Sequence, residues 1–280
     1  MDFYGVLGEK LPHSISPEIH EEIFSLLNID GAYKIFEVEK KDISKLCDSL
    51  RILKIKGTNV TIPYKQEVMK YLDSISEEAE KIGAVNTIYL KDGKLYGYNS
   101  DYFGFGTIIK KYDVELEGKI TMVLGTGGAS KAVVTYLLDK GVKKIYLVSR
   151  NHKNESDYKA VSYTHLTLPT TRVEYTTYEE IEEIKGDVII NTTPVGMYPK
   201  TGVSPVGENI IKNFDTLIDI IYNPRVTEFL AIGEKLNKKV CGGLEMLVGQ
   251  AIKSEEVWQE MDIDDEVFDK VFSKINENFK

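Results

Sequence analysis

The chain has 280 residues, 42% of them hydrophobic and 28% charged, with a formal net charge of -9. This composition suits a globular protein large enough for two cores, and the acidic balance argues against nucleic acid or an anionic membrane as the main partner. The two cysteines, Cys47 and Cys241, lie far apart and outside any Cys/His cluster, so neither a disulfide framework nor a metal site is expected. The start, "MDFYGVLGEKLPHSISP", has neither the basic nor the apolar part of a signal peptide, and no apolar run approaches the ~20 residues of a membrane span, so the expected location is cytoplasmic.

In chain order, "FYGVLG" reads as a strand and "SPEIHEEIFSLLN" as a helix, with Ile19, Ile23, Phe24, Leu26 and Leu27 at helical spacing. Next come "AYKIFEV" as a strand, "DISKLCDSLRIL" as a helix, "IKGTNVTI" as a strand and "KQEVMKYLDSI" as a helix. Such alternation predicts parallel strands joined by crossover helices. "NTIYL" and "KLYGYN" then flank Asp92-Gly93, a strong hairpin-turn signal. That turn sets Asn86 opposite Asn99 and puts Asn86, Asn99 and Asp101 on one face, where three polar side chains make poor core material.

From about residue 101 the α/β rhythm repeats. "KITMVL", "KKIYLV", "GDVIINTTP" and "FDTLIDIIYNP" read as strands, and "ASKAVVTYLLDKG", closed by Gly141, and "TEFLAIGEKLN" as helices. The helical C-terminal stretch is expected to pack back on the first domain. The expected domains are therefore residues 1–101 with 241–280, and residues 102–240. One run, "VSYTHLTLPTT" at 161–171, breaks the pattern where an α/β unit should have a helix. It matches one reading frame of a transposon-type sequencing adapter, so we read it as an assembly artefact; the plain alternative is an unusual surface loop. His165 within it is given no function, and resequencing the source locus decides the matter.

"VLGTGGASKA" follows a strand and opens a helix. Gly125 permits the tight turn, Gly127 and Gly128 allow close backbone approach, and the helix N-terminus presents free N–H groups to a phosphate. Ser130 stands in place of a third glycine. The next strand ends in Ser149-Arg150, where an NAD site would have an acidic residue. A guanidinium there suits a 2′-phosphate and points to NADP, although a solvated surface arginine is the plain alternative.

Ser16 before Pro17 has the form of a helix N-cap, which leaves Ser14 unexplained; the two hydroxyls together would also hold a carboxylate. In "GTNVTIPYK", Asn59 and Thr61 share a face at the carboxyl end of a strand, where open α/β sheets bind ligands. Pro63 stops the ladder, and Lys65 is either set over the crevice or lost to solvent.

"HSISP", "NVTIPYK", "GAVNT", "NSD", "GTGGAS", "SRN", "NTTPVGM", "IIYNP" and "GGLEMLVGQA" together resemble the shikimate dehydrogenase family in order and spacing, over nearly the whole chain. The resemblance implies an α/β fold, with an N-terminal α/β substrate domain, a Rossmann-like dinucleotide domain and a cleft between them. It implies NADP-linked reduction of 3-dehydroshikimate to shikimate, in aromatic amino-acid (chorismate) biosynthesis. Lys65 and Asp101 would be catalytic; Ser14 and Ser16 would hold the substrate carboxylate; Thr61, Asn86 and Asp101 would bind ring hydroxyls, with Tyr222 and Gln250 completing the site. Gly125, Thr126, Gly127, Gly128, Ala129, Ser149, Arg150, Ile220 and Gly243 would line the cofactor, with Glu77 also matching a position credited with nucleotide contact. A lysine ammonium stabilises the charge developing on a ketone oxygen and then supplies the proton, so no metal is needed. The expected partners are small molecules alone, in a monomer or homodimer. Two departures are modest: Thr126 stands where alanine is common, and Ser100 where threonine is frequent. Competing readings are an NAD-linked quinate/shikimate enzyme, disfavoured by Arg150; a folate-linked dehydrogenase, which "HSISP" and "GAVNT" do not suit; and an NADP(H)-sensing protein without chemistry, against which Lys65 and Asp101 count.

Overall fold

The structure is a computed structural model that describes residues 1–12, 14–150 and 171–279; residues 161–170 of the irregular run lie outside the described residues. The chain falls into two units, Met1–Gly104 with Val248–Asn278, and Phe105–Leu247.

The first unit carries strands β1 (Asp2–Gly8), β2 (Gly31–Glu37), β3 (Ile55–Val60), β4 (Ser74–Ile75), β5 (Thr87–Lys91) and β6 (Lys94–Tyr98) in a six-stranded sheet of order β2-β1-β3-β5-β6-β4. β1 runs parallel to both β2 and β3, while β5 is antiparallel to β3 and β6. The hairpin turn forms as its sequence demands: Asp92 and Gly93 take φ of 51° and 77°, the left-handed pair that matches strand twist. The register sets Thr87 against Tyr98, which carries Asn86 to the level of Asn99.

Strand alternation gives the sheet two apolar faces. Leu7, Val60, Ile88 and Leu95 pack on one side with Leu46 and Leu50 of helix α2 (Leu46–Ile52). Tyr4, Val6, Tyr33 and Tyr89 pack on the other with Phe24 of helix α1 (Ser16–Leu27) and with Trp258. The fully buried Trp258 returns from the C-terminal stretch, donates its indole N–H to the Ile88 carbonyl (2.9 Å) and lies against Gly57. A Cβ at Gly57 would come within 2.4 Å of the indole, so only glycine admits the ring there.

Several expected elements differ. The helix expected over "KQEVMKYLDSI" is a 3-10 turn at Glu67–Tyr71 followed by β4. The reason is Asp73, whose N–H donates to the Leu95 carbonyl and whose carboxylate accepts the Leu95 N–H, tying the segment to the hairpin edge. "DISKLCDSLRIL" splits into a 3-10 turn, Lys40–Lys45, and α2. Ser16 is not the cap of α1: Ile15 occupies that position, and Ser14 Oγ accepts the Ser16 N–H (3.4 Å). β3 ends at Val60, before Pro63 is reached. Helices α3 (Glu77–Ile82) and α4 (Ser100–Lys111) carry too little apolar periodicity to stand out in the sequence.

The second unit carries β7 (Ile120–Leu124), β8 (Lys144–Ser149), β9 (Arg172–Thr177), β10 (Val188–Asn191), β11 (Thr216–Asp219) and β12 (Lys239–Cys241). Their order is β12-β11-β10-β7-β8-β9, and every neighbouring pair is parallel. This is the doubly wound dinucleotide-fold order, with its switch point between β7 and β10. Helices α5 (Gly128–Asp139), α6 (Glu208–Ile211) and α7 (Glu228–Lys235) belong to this unit. Two further helices are α8 (Leu244–Gln259) and α9 (Asp265–Asn276). Among the described residues, no helix is long and apolar enough to cross a membrane, and no cluster of His, Cys, Asp and Glu suits a metal ion.

Candidate active site

Lys65 is not a solvated lysine. Its Nζ meets Asp101 Oδ2 at 2.5 Å, and the two side chains are only 17% and 12% exposed. Asp101 sits in the first turn of α4, just past the hairpin, and Asn86 Nδ2 donates to its second oxygen (2.8 Å). Asn86 is fixed in turn, because its Oδ1 accepts the Ser100 N–H (2.6 Å). Asn99 turns away from this group, donating to the Ala84 carbonyl and accepting the Tyr102 N–H at the start of α4. So of the three side chains placed on one face by strand alternation, two meet and the third caps a helix.

The polar network continues inward from Asp101. Ser100 Oγ reaches Gln250 Oε1 (3.4 Å) and Ser254 Oγ (3.2 Å), both on α8. Ser254 accepts from Asn59 Nδ2 (2.8 Å), and Asn59 Oδ1 accepts the Tyr33 hydroxyl (2.7 Å). Burial pushes the Tyr33 phenol well above its ordinary value. Ser14 Oγ lies 3.2 Å from Ser16 Oγ. One network, buried at Asn86, Ser100, Ser254 and Asp101, therefore joins Lys65, Asp101, Asn86, Gln250 and Tyr33, while Ser14 and Ser16 pair with each other at the half-buried start of α1. Satisfied networks of this kind hold side chains in single orientations. Thr61 occupies the half-buried turn after β3, where its N–H donates to the Leu7 carbonyl (2.8 Å). The hub residues Thr87 and Ser254, which bond each other and Ser100, escape motif reading, because nothing local distinguishes a buried hydroxyl from a surface one.

The second unit holds a cavity of about 670 Å³ at the carboxyl ends of β7, β8 and β10. Gly125, Thr126, Gly127, Ser149 and Arg150 line it, together with Val148, Tyr178, Thr192, Thr193, Pro194, Val195, Ser204 and Pro205. Gly125 has φ +102°, and a Cβ there would fall 2.8 Å from the Thr193 methyl, so both conformation and space demand glycine. At Gly127, the cap of α5, a Cβ would meet nothing within 4 Å, which leaves open space beside the loop as a phosphate cradle requires. Ser130 is buried and donates to the Gly125 carbonyl (2.8 Å), bracing the loop that a third glycine would otherwise pack. Arg150 is exposed at the end of β8; burial pushes the Tyr178 phenol up, and Arg150 is near enough to pull it part of the way back. The cavity, the glycine loop and the guanidinium fit a dinucleotide with an extra phosphate.

The other residues expected at the site are not among those lining this cavity. Gly128 and Ala129 begin α5 and do not line the cavity. Ile220 and Gly243 touch each other: a Cβ at Gly243 would overlap the Ile220 carbonyl at 2.3 Å. Tyr222 follows β11 in the second unit, and burial raises its phenol. Glu77 begins α3 in the first unit, with an exposed side chain paired to Lys81 (2.9 Å).

A family model described as the shikimate dehydrogenase substrate binding domain matches residues 6–88. The chain is 61% identical over 280 residues to a Clostridium beijerinckii protein named shikimate dehydrogenase (NADP(+)), covering 100% of both. It is similar to the crystal structure of shikimate dehydrogenase 1 from Peptoclostridium difficile, at 51% identity and a TM-score of 0.89, covering 100% of this chain and 99% of that one. It is also similar to the Thermus thermophilus enzyme solved with NADP(H) and shikimate, at 26% identity and a TM-score of 0.84, covering 98% and 99%. With end-to-end relatives at that identity, and with both halves of the chain built as described, the protein belongs to the shikimate dehydrogenase family.

Proposed function

We infer that this chain catalyses the reversible, NADP-dependent reduction of 3-dehydroshikimate to shikimate. The Lys65–Asp101 pair at 2.5 Å, held by Asn86 inside a buried network, carries the reading. The named activity of the full-length relatives supports it.

When bound, the nicotinamide cofactor supplies or accepts the hydride. The protein's part is electrostatic and positional. In reduction, negative charge grows on the ketone oxygen, and the Lys65 ammonium stabilises it and delivers the proton. Asp101 holds that ammonium in place, and Asn86 fixes Asp101 in turn. Ser14 and Ser16 offer paired hydroxyls to the substrate carboxylate, while Thr61, Asn86, Asp101 and Gln250 read ring hydroxyls. Hydrogen-bonding groups of this kind reject analogues that lack those hydroxyls, because the unmatched protein groups would be left unpaired. Gly125, Thr126 and Gly127 cradle the cofactor phosphates, and Ser149 and Arg150 select NADP over NAD.

The test is a spectrophotometric assay of the purified chain with shikimate, comparing NADP⁺ with NAD⁺. Turnover with a strong NADP⁺ preference is expected. Replacing Arg150 with glutamine should reduce that preference by about tenfold or more, since one charge-assisted phosphate contact is lost. No turnover with either cofactor overturns the assignment.

A further inference from the structure

We propose that Asp219 is a positioning residue for the cofactor cavity: its carboxylate orients the Asn191 amide, which holds the Thr192–Val195 wall in its binding shape. The proposal rests on the NADP reading of that cavity.

Asp219 ends β11 with no exposed surface, in register with Asn191 at the end of β10. Three donors converge on it. Thr227 Oγ donates at 2.7 Å, the Ile221 N–H at 3.0 Å and Asn191 Nδ2 at 3.1 Å. An ionised carboxylate only accepts, so it dictates which end of the Asn191 amide faces it. The Oδ1 end is thereby turned to Thr193, accepting both its N–H (3.0 Å) and its hydroxyl (2.7 Å). The Thr193 hydroxyl oxygen in turn accepts the Val195 N–H (3.2 Å). Thr192 Oγ donates to the Leu124 carbonyl (2.7 Å), just ahead of the glycine loop, and the Thr193 methyl fills the space beside Gly125. Wall and loop therefore share one geometry, set from beneath by a single buried charge.

Protonation would weaken this arrangement. The carboxyl O–H would donate to the Thr227 hydroxyl oxygen, leaving a neutral carbonyl where the Asn191 amide now meets a charge. The groups around Asp219 are Asn191 of β10, Ile221 beyond its own strand and Thr227 ahead of α7, and none of them ionises. Burial pushes its carboxyl up to about 6, so the charge stands against desolvation at neutral pH on three hydrogen bonds alone.

Titrating NADP⁺ into the unmodified chain, into Asp219→Leu and into Asp219→Asn tests the proposal, alongside shikimate KM and thermal unfolding. Asp219→Leu, with no acceptor for the Asn191 amide, should weaken NADP⁺ binding about tenfold while the shikimate KM stays within about twofold. Asp219→Asn keeps an amide oxygen facing Asn191 and Ile221 and can donate to the Thr227 oxygen, so it should retain most of the affinity. In the NADP⁺-free unmodified chain, the Asn191 side-chain amide resonances should shift with a midpoint near pH 6, and this holds even if the variants fold poorly. Undiminished affinity in folded Asp219→Leu, an Asp219→Asn variant no better than Asp219→Leu, or Asn191 signals flat from acid to neutral pH overturns the proposal. Absence of NADP⁺ binding by the unmodified chain is a different result: it removes the cofactor reading first, and the proposal with it.

Discussion

At the scale of single residues, burial and partners separate functional side chains from surface ones. Lys65 looks in sequence like any helix-start lysine, and the structure distinguishes it by a carboxylate at 2.5 Å and a mostly covered side chain. Lys65→Ala should lower kcat roughly a thousand-fold, the usual worth of a positioned acid, while NADP⁺ titration stays unchanged. Near-normal kcat would remove its catalytic role. Asp219 makes a second residue-scale prediction, about stability. Its carboxyl is raised from 3.8 to about 6, so between those values the folded chain binds a proton that the unfolded chain has lost. Stability from this group is present at low pH and falls as pH rises through 6. Asp219→Asn abolishes that loss, so the variant should gain on the parent by roughly 2 kcal/mol between pH 4 and pH 7 in urea unfolding. A gap that does not change with pH would mean that Asp219 is not the buried acid it is taken to be.

At the scale of elements, strands with alternating or continuous apolar runs were legible, and short helices were not. β1, β2, β3, β5 and β6 lie where the hydrophobic pattern places them, because their side chains split cleanly between the two cores. The segment after Lys65 failed the same reading. Its apolar residues fit a helical stripe, but the pull of Asp73 on the hairpin edge wins over local propensity, as tertiary pairing often does. The site followed the same division. "GTGGAS" and Arg150 announced the cavity through backbone and charge needs that few residues meet, whereas Ser254 is one ordinary serine in a helix. It becomes a hub only when α8 lies across the sheet, and Trp258 puts it there. Trp258→Ala removes the indole from Gly57 and its bond to Ile88, so the unfolding free energy should fall by about 3–5 kcal/mol. Shikimate turnover should fall with it, through the displaced Gln250 and Ser254. An equilibrium denaturation curve matching the parent would show that α8 is held by other means.

At the scale of the whole molecule, the division into units decides which functions stand alone. From the sequence, the helical C-terminal stretch, residues 241–280, is expected to join the first domain. The structure groups Val248–Asn278 with Met1–Gly104, and Phe105–Leu247 forms one continuous stretch between them. Everything that lines the cavity, from Gly125 to Pro205, lies in that stretch. So do all strands of its parallel sheet and the core around Met122, Ile189, Phe214 and Phe229. A segment with its own core and closed strand order has what independent folding requires. Expressed by itself, Phe105–Leu247 should therefore fold and bind NADP⁺ within about threefold of the full chain, a difference under about 1 kcal/mol. It should have no turnover with shikimate, since Lys65 and Asp101 are absent from it. Titration of reduced cofactor by its own fluorescence measures the first expectation directly. A folded fragment that fails to bind would mean that the cavity needs the other unit to complete it, and would move cofactor recognition from the second unit to the protein as a whole.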